Sequence, residues 1–270
     1  MAAFGTDFQK YTRPHLYQSG SVTSFWAGLA ILVAIILFYL LLQSVVGLAI
    51  AVLGFRSQLD DPSAFLKSAI IGVFPASIIT GIFIWWVSKF RGGVPQVILA
   101  LRWPRLGWFG WPLVIIGFLL TMYAVVILIV VIFQIDLSQF QAGPDGDSET
   151  QDLVRQGMAE MAKDPVLYWY AVLAVVIGAP IGEELIFRGY MFSFLSKTRV
   201  GLTGATLLTS AVWALSHKFT APWFLVGVLF IMGIALSCLL IRFGSLWVTL
   251  ICHGVWNAIS SLTIFGMASQ

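Results

Sequence analysis

Ile181-Gly182-Glu183-Glu184-Leu185-Ile186-Phe187-Arg188-Gly189 decides how the rest of the chain is read. Two adjacent carboxylates and an arginine stand inside an otherwise apolar and aromatic run from Val166 to about Phe194. Even on the lenient insertion scale a charge at membrane depth costs about 2.5–3.5 kcal/mol, so an ionisable residue there is a functional hypothesis by default. Helical spacing sorts the three. Glu184 and Arg188 are four apart, acid first, and share a face that suits an ion pair. Glu183 points about 100° away and is not used up by that pair. The structural alternative is a salt bridge at headgroup level, with Glu183 dipping into interfacial water.

Composition puts this stretch in a membrane. Of 270 residues, 59% are hydrophobic and only 10% charged, against about 25% charged in a soluble domain. The apolar residues come in blocks of helix-spanning length. The expected fold is all-α, a polytopic transmembrane helix bundle of about seven spans. These cover roughly 24–55, 68–90, 107–135, 166–195, 202–218, 223–242 and 245–267. Residues 1–165 hold the first three spans and an acidic loop over 136–165, and residues 166–267 hold the last four. The two parts are expected to form one integrated membrane domain.

Smaller signals fill in the plan. Pro75 is expected to kink the second span, with Trp85 and Trp86 anchoring its end at the interface. The basic stretch Lys89–Trp108 suits the membrane interface. Glu149–Lys163 puts Val154, Met158 and Met161 on one face of a short surface helix. The first span reads as uncleaved, being far longer than a signal-peptide core. The net charge of +3 is small and argues against a nucleic-acid partner. Lys and Arg favour the N-terminal arm and the segments after spans two, four and six, which places the N-terminus in the cytoplasm of a plasma (inner) membrane. Cys238 and Cys252 offer no disulfide framework and read as small core residues.

Chemistry needs partners for Glu183, and the chain has only three histidines. His15 lies in the polar arm. His217 closes Trp213-Ala-Leu-Ser-His217, and His253 opens His253-Gly-Val-Trp-Asn257. His253 and Asn257 are four apart and face one way; both can offer hydrogen-bond donors. Glu183 and His217 are each 17 positions from Val200, in the turn between their spans. Antiparallel helices rising about 1.5 Å per residue bring both to one level, about 25 Å from the turn. Gly178-Ala-Pro-Ile-Gly182 interrupts the helix just before Glu183. Pro180 removes a hydrogen bond there, and the two glycines are expected to loosen packing.

Together these motifs resemble those of the CAAX prenyl protease and bacteriocin-processing (Abi) family. Glu183-Glu184-x-x-x-Arg188 is similar to its first motif, His217 to its second, and His253 with Asn257 to its third. The resemblance covers about Val166 to Ser261. One residue departs from the pattern: Trp213 stands where the second motif usually has Phe, so an altered cavity shape is expected. The resemblance implies an intramembrane endopeptidase. Glu183 would activate water, His217 assist, and His253 and Asn257 stabilise the oxyanion, with Glu184, Arg188 and Trp213 in support. The implied partners are the lipid bilayer and a peptide substrate, either a prenylated CAAX protein or a small leader-bearing peptide.

Other readings of these residues stay open. Glu183, His217 and His253 also make a two-His, one-carboxylate zinc set. The lack of His-Glu-x-x-His, and Asn257 as a better donor than ligand, favour chemistry with no cofactor. A proton-coupled transporter would use buried Glu and His as a relay. A membrane scaffold or immunity protein would keep the fold without catalysis.

Overall fold

Apolar blocks this long satisfy their backbone in lipid only by closing every hydrogen bond internally, which selects helices. The computed structural model describes residues 25–55, 62–90, 94–135, 157, 160–218 and 220–268. Each expected span becomes a helix. These are α1 (Phe25–Gly54), α2 (Pro62–Phe90), then, after a single turn α3 (Pro95–Ile98), α4 (Gly110–Phe133), α5 (Pro165–Ser196), α6 (Gly201–Ser216), α7 (Trp223–Phe243) and α8 (Leu246–Ala268). There is no strand among the described residues.

Among the described residues, five of these, α1, α2, α4, α5 and α7, are long and apolar enough to cross a bilayer. The protein is an integral membrane protein. Helix α6 is apolar but has 16 residues. It rises about 24 Å, short of an approximately 30 Å hydrocarbon core. Helix α8 has 23 residues and carries His253 and Asn257 within its apolar run.

Several expectations need correction. Helix α2 starts at Pro62 and not near Ser68, because proline fits the first turn, where its missing N–H costs nothing. Pro75 lies inside that helix, at the position expected to kink it. Cys252 is buried as expected, but Cys238 is exposed. The N-terminal arm with His15, and most of the acidic loop, lie outside the described residues. The end of the expected surface helix is seen: Met161 is buried beside Ala171, and Lys67 pairs with Glu160.

The core gathers on the second half of α5. Every residue from Glu184 to Met191 is buried. Around it pack Trp213 of α6, Met232 and Leu236 of α7, and Cys252 of α8. Since lipid tails are as apolar as leucine, helices in a bilayer associate chiefly through close packing of small residues. Gly178 and Gly182 do this. A Cβ on Gly178 would stand 2.7 Å from Phe74 Cα, and one on Gly182 2.6 Å from Ser77 Oγ. The two glycines therefore tighten the α2–α5 contact instead of loosening it. Tyr39 of α1 meets Ser77 at the same place, 3.4 Å between oxygens.

The basic segment before α4 fixes where α8 begins. Ala100 takes a left-handed conformation (φ 50°), and its carbonyl accepts from Leu246 N at 2.8 Å. Trp247 Nε1 donates to the Leu101 carbonyl at 2.9 Å. Trp103 packs between Trp111 and Trp247. Arg102, Trp103, Arg105 and Trp108 are exposed, the composition expected of an interfacial segment.

Candidate active site

Glu183 and Glu184 divide their work as helical spacing requires. Glu184 is fully buried, and its Oε1 accepts from Arg188 Nη1 at 2.9 Å. The same oxygen meets His253 Nδ1 at 3.0 Å. A carboxylate oxygen can only accept when ionised, so Nδ1 of His253 carries its proton and Nε2 is left to face elsewhere. It faces Glu183: Nε2 of His253 is 3.9 Å from Oε2.

His217 is held in the same way from another helix. As α6 ends, its Nδ1 donates to the Trp213 backbone carbonyl at 2.8 Å. Its Nε2 also stands 3.9 Å from Glu183 Oε2. Both imidazoles thus have one nitrogen tied back and the other turned to a single carboxylate oxygen. At 3.9 Å neither touches it directly. A small molecule hydrogen-bonded to Oε2 can reach both.

Trp213 joins the parts. Its Nε1 donates to Glu183 Oε2. Its ring lies under the Arg188 guanidinium, 4.3 Å from the centroid, a cation–π geometry. The edges of His217 and His253 meet the same ring at 5.3 and 5.4 Å. Gly233 of α7 makes room for this stack, since a Cβ there would stand 3.0 Å from Arg188 Nη2. Glu183 and His217 remain partly exposed, while Glu184, Arg188 and His253 are sealed.

Asn257 is placed one turn beyond His253 but bonds elsewhere. Its Nδ2 donates to the Val175 carbonyl of α5 at 2.9 Å. Helix α5 contains two wide turns with i→i+5 bonding, over Ala174–Gly178 and Glu184–Met191. Wide turns of this kind occur mostly within α-helices and often at functional sites.

Residues 165–259 match the family model described as type II CAAX prenyl endopeptidase Rce1-like. This chain carries an Rce1-like domain. No curated protein and no solved structure matches the chain. The Rce1-like family is a protease family, so the domain is of an intramembrane endopeptidase type. It runs from the first turn of α5 through most of α8 and contains every residue described above as facing Glu183.

Sequence reasoning missed four contacts in and around the Rce1-like domain. It gave Glu184 to Arg188 alone, although one carboxylate oxygen accepts more than one donor. It read Trp213 for shape and overlooked its N–H. It left the Val175 carbonyl without a partner, although Pro180 signals an unpaired carbonyl upstream. It saw no use for the first two spans, although Tyr39 and Ser77 are hydroxyls in otherwise apolar helices. As for a metal, among the described residues no group of three or more His, Cys, Asp or Glu is placed to hold one. The 3.9 Å separations exceed the about 3.3 Å expected between two ligands of a tetrahedral zinc.

Proposed function

We propose that the Rce1-like domain hydrolyses a peptide bond near the membrane by water activation, with Glu183 as general base. The observation that carries this reading is the convergence of two histidine Nε2 atoms, each 3.9 Å away, on Glu183 Oε2. A water bound to Oε2 gives a proton to Glu183 as its oxygen attacks the carbonyl carbon. His217 orients that water and shares the proton. The proton then passes to the leaving amine nitrogen as the carbon–nitrogen bond breaks. His253, held at Nδ1 by Glu184, presents Nε2 as a donor to the oxyanion when protonated. Each acid–base group of this kind contributes about 10²–10⁴-fold in rate. The substrate class is a prenylated CAAX-type protein or a small leader-bearing peptide, presented from the bilayer.

The test is cleavage of fluorogenic peptides, prenylated and plain, by the purified protein in detergent. Wild type and Glu183→Gln run side by side, with and without a chelator. We expect cleavage by wild type that is indifferent to chelator, and a loss of at least about 100-fold on substitution. Full activity in Glu183→Gln would overturn the assignment. Loss with chelator would replace it by a zinc site on Glu183, His217 and His253. A folded wild type that cleaves neither peptide class would favour a binding protein over an enzyme.

A further inference from the structure

Helix α7 meets the candidate site at Gly233. This glycine is buried, and a Cβ added to it would stand 3.0 Å from Arg188 Nη2, 2.9 Å from Ser210 Oγ and 2.8 Å from Ser210 Cβ. Each of these atoms is held. The Ser210 hydroxyl donates to the Thr206 carbonyl at 2.7 Å, and its Cβ is fixed to the α6 backbone. Arg188 is 1% exposed. Its Nη1 is on Glu184 Oε1 at 2.9 Å, and its guanidinium carbon is 4.3 Å from the centroid of the Trp213 ring. Trp213 is equally buried, and its Nε1 donates to Glu183 Oε2. In an interior packed to crystal density, a displaced group carries its neighbours with it. With Nη1 tied and Nη2 pushed, the guanidinium plane must turn, and the indole packed against it must turn too.

We infer that Gly233 is a positioning residue. It leaves the space in which the Arg188 guanidinium lies against Trp213, and through that ring it sets where the indole N–H meets Glu183. Gly233 thus reaches Glu183 through two side chains, without contact with the reacting atoms. The plain alternative is packing alone. Small residues let membrane helices approach, and Gly233 and Ser237, one turn apart and both buried, would then serve only to seat α7 on α6. Ser210 would be the neighbour that matters, and not Arg188. The cleavage readout below rests on the proposed function; the resonance readout does not.

The experiment uses the full chain in detergent. Gly233→Ala is made in wild type, in Ser210→Gly and in Arg188→Lys, and compared with each parent. Thermal midpoint, the kcat and KM of peptide cleavage, and the indole N–H magnetic resonance of Trp213 are read. That resonance is the one of eleven tryptophans that Trp213→Phe removes. In wild type, Gly233→Ala should lower kcat about threefold to thirtyfold with KM within about twofold, less than the about 100-fold of a 1 Å misplacement. It should also shift the Trp213 resonance. Ser210→Gly removes the Ser210 atoms that face the new methyl. In that background the midpoint loss should shrink by more than half, while the kcat loss and the shifted resonance persist. Arg188→Lys removes Nη2, so there Gly233→Ala should cost less than about a further twofold in kcat and leave the resonance unmoved. Recovery of both kcat and resonance by Ser210→Gly would overturn the inference in favour of helix packing. An unshifted resonance in Gly233→Ala would overturn it as well. Should Gly233→Ala alone fail to fold, the Ser210→Gly double, relieved of the clash with α6, carries the same comparison. If wild type cleaves no peptide, the proposed function fails separately and the resonance decides the inference.

Discussion

A single oxygen, Glu184 Oε1, holds Arg188 and His253 at once. Removing one charge from such a buried set strands the other, at a cost of about 3–5 kcal/mol. Glu184→Gln should therefore lower the thermal midpoint sharply in detergent, whereas Glu183→Gln, at a partly exposed position, should leave it nearly unchanged while abolishing cleavage. Trp213→Phe tests the indole N–H. It keeps the ring under Arg188 and between the histidines but removes the donor to Glu183. The expected result is a lower kcat with little change in KM, measured on the same peptides. Much of this was legible beforehand. The i,i+4 spacing of Glu184 and Arg188 required their pair, and equal distances from Val200 required Glu183 and His217 to share a level. The shared oxygen was not legible, because spacing fixes which faces meet and leaves open how many donors one acceptor takes.

Among the elements, the α2–α5 contact depends on Gly178 and Gly182, and the two differ in what opposes them. Gly178 faces the backbone of Phe74, which cannot move out of the way. Gly182 faces the Ser77 hydroxyl, which can rotate. Gly178→Ala should thus destabilise by about 1–3 kcal/mol, and Gly182→Ala by less. Thermal unfolding of the two variants ranks them, and the reverse order would show that α2 shifts as a body. The sequence shows two small residues four apart. Whether they loosen a helix or let a neighbour approach depends on that neighbour, and nothing in the motif names α2. The wide turns in α5 were hidden for a similar reason: Pro180 announces a lost hydrogen bond, but not the extra residue absorbed around it.

Across the whole molecule, the matched residues 165–259 are not self-sufficient in packing. Phe74 and Ser77 of α2 and Tyr39 of α1 close the face of α5 behind Glu183. A chain lacking residues 1–90 should fail to give a monodisperse, cleaving species on gel filtration in detergent, although it keeps His217, His253 and Glu183. Membrane class and helix order were readable from composition and block length, because lipid leaves the backbone few choices. The side of the membrane on which each loop lies is an expectation from Lys and Arg bias alone, and reporter fusions at Trp108 and Val200 test it.

The shortness of α6 has one more consequence. With Gly201 set at one edge of an approximately 30 Å slab, the 16 residues of α6 would end at His217 about 6 Å short of the other edge. On the proposed function, water and the scissile bond would both travel that distance, and the lipid would determine it. In vesicles of graded acyl-chain length, hydrolysis should be fastest in thin bilayers and slow as methylenes are added. On this view the host membrane acts as a dial on the rate, through thickness alone and with no contact to any side chain of the site.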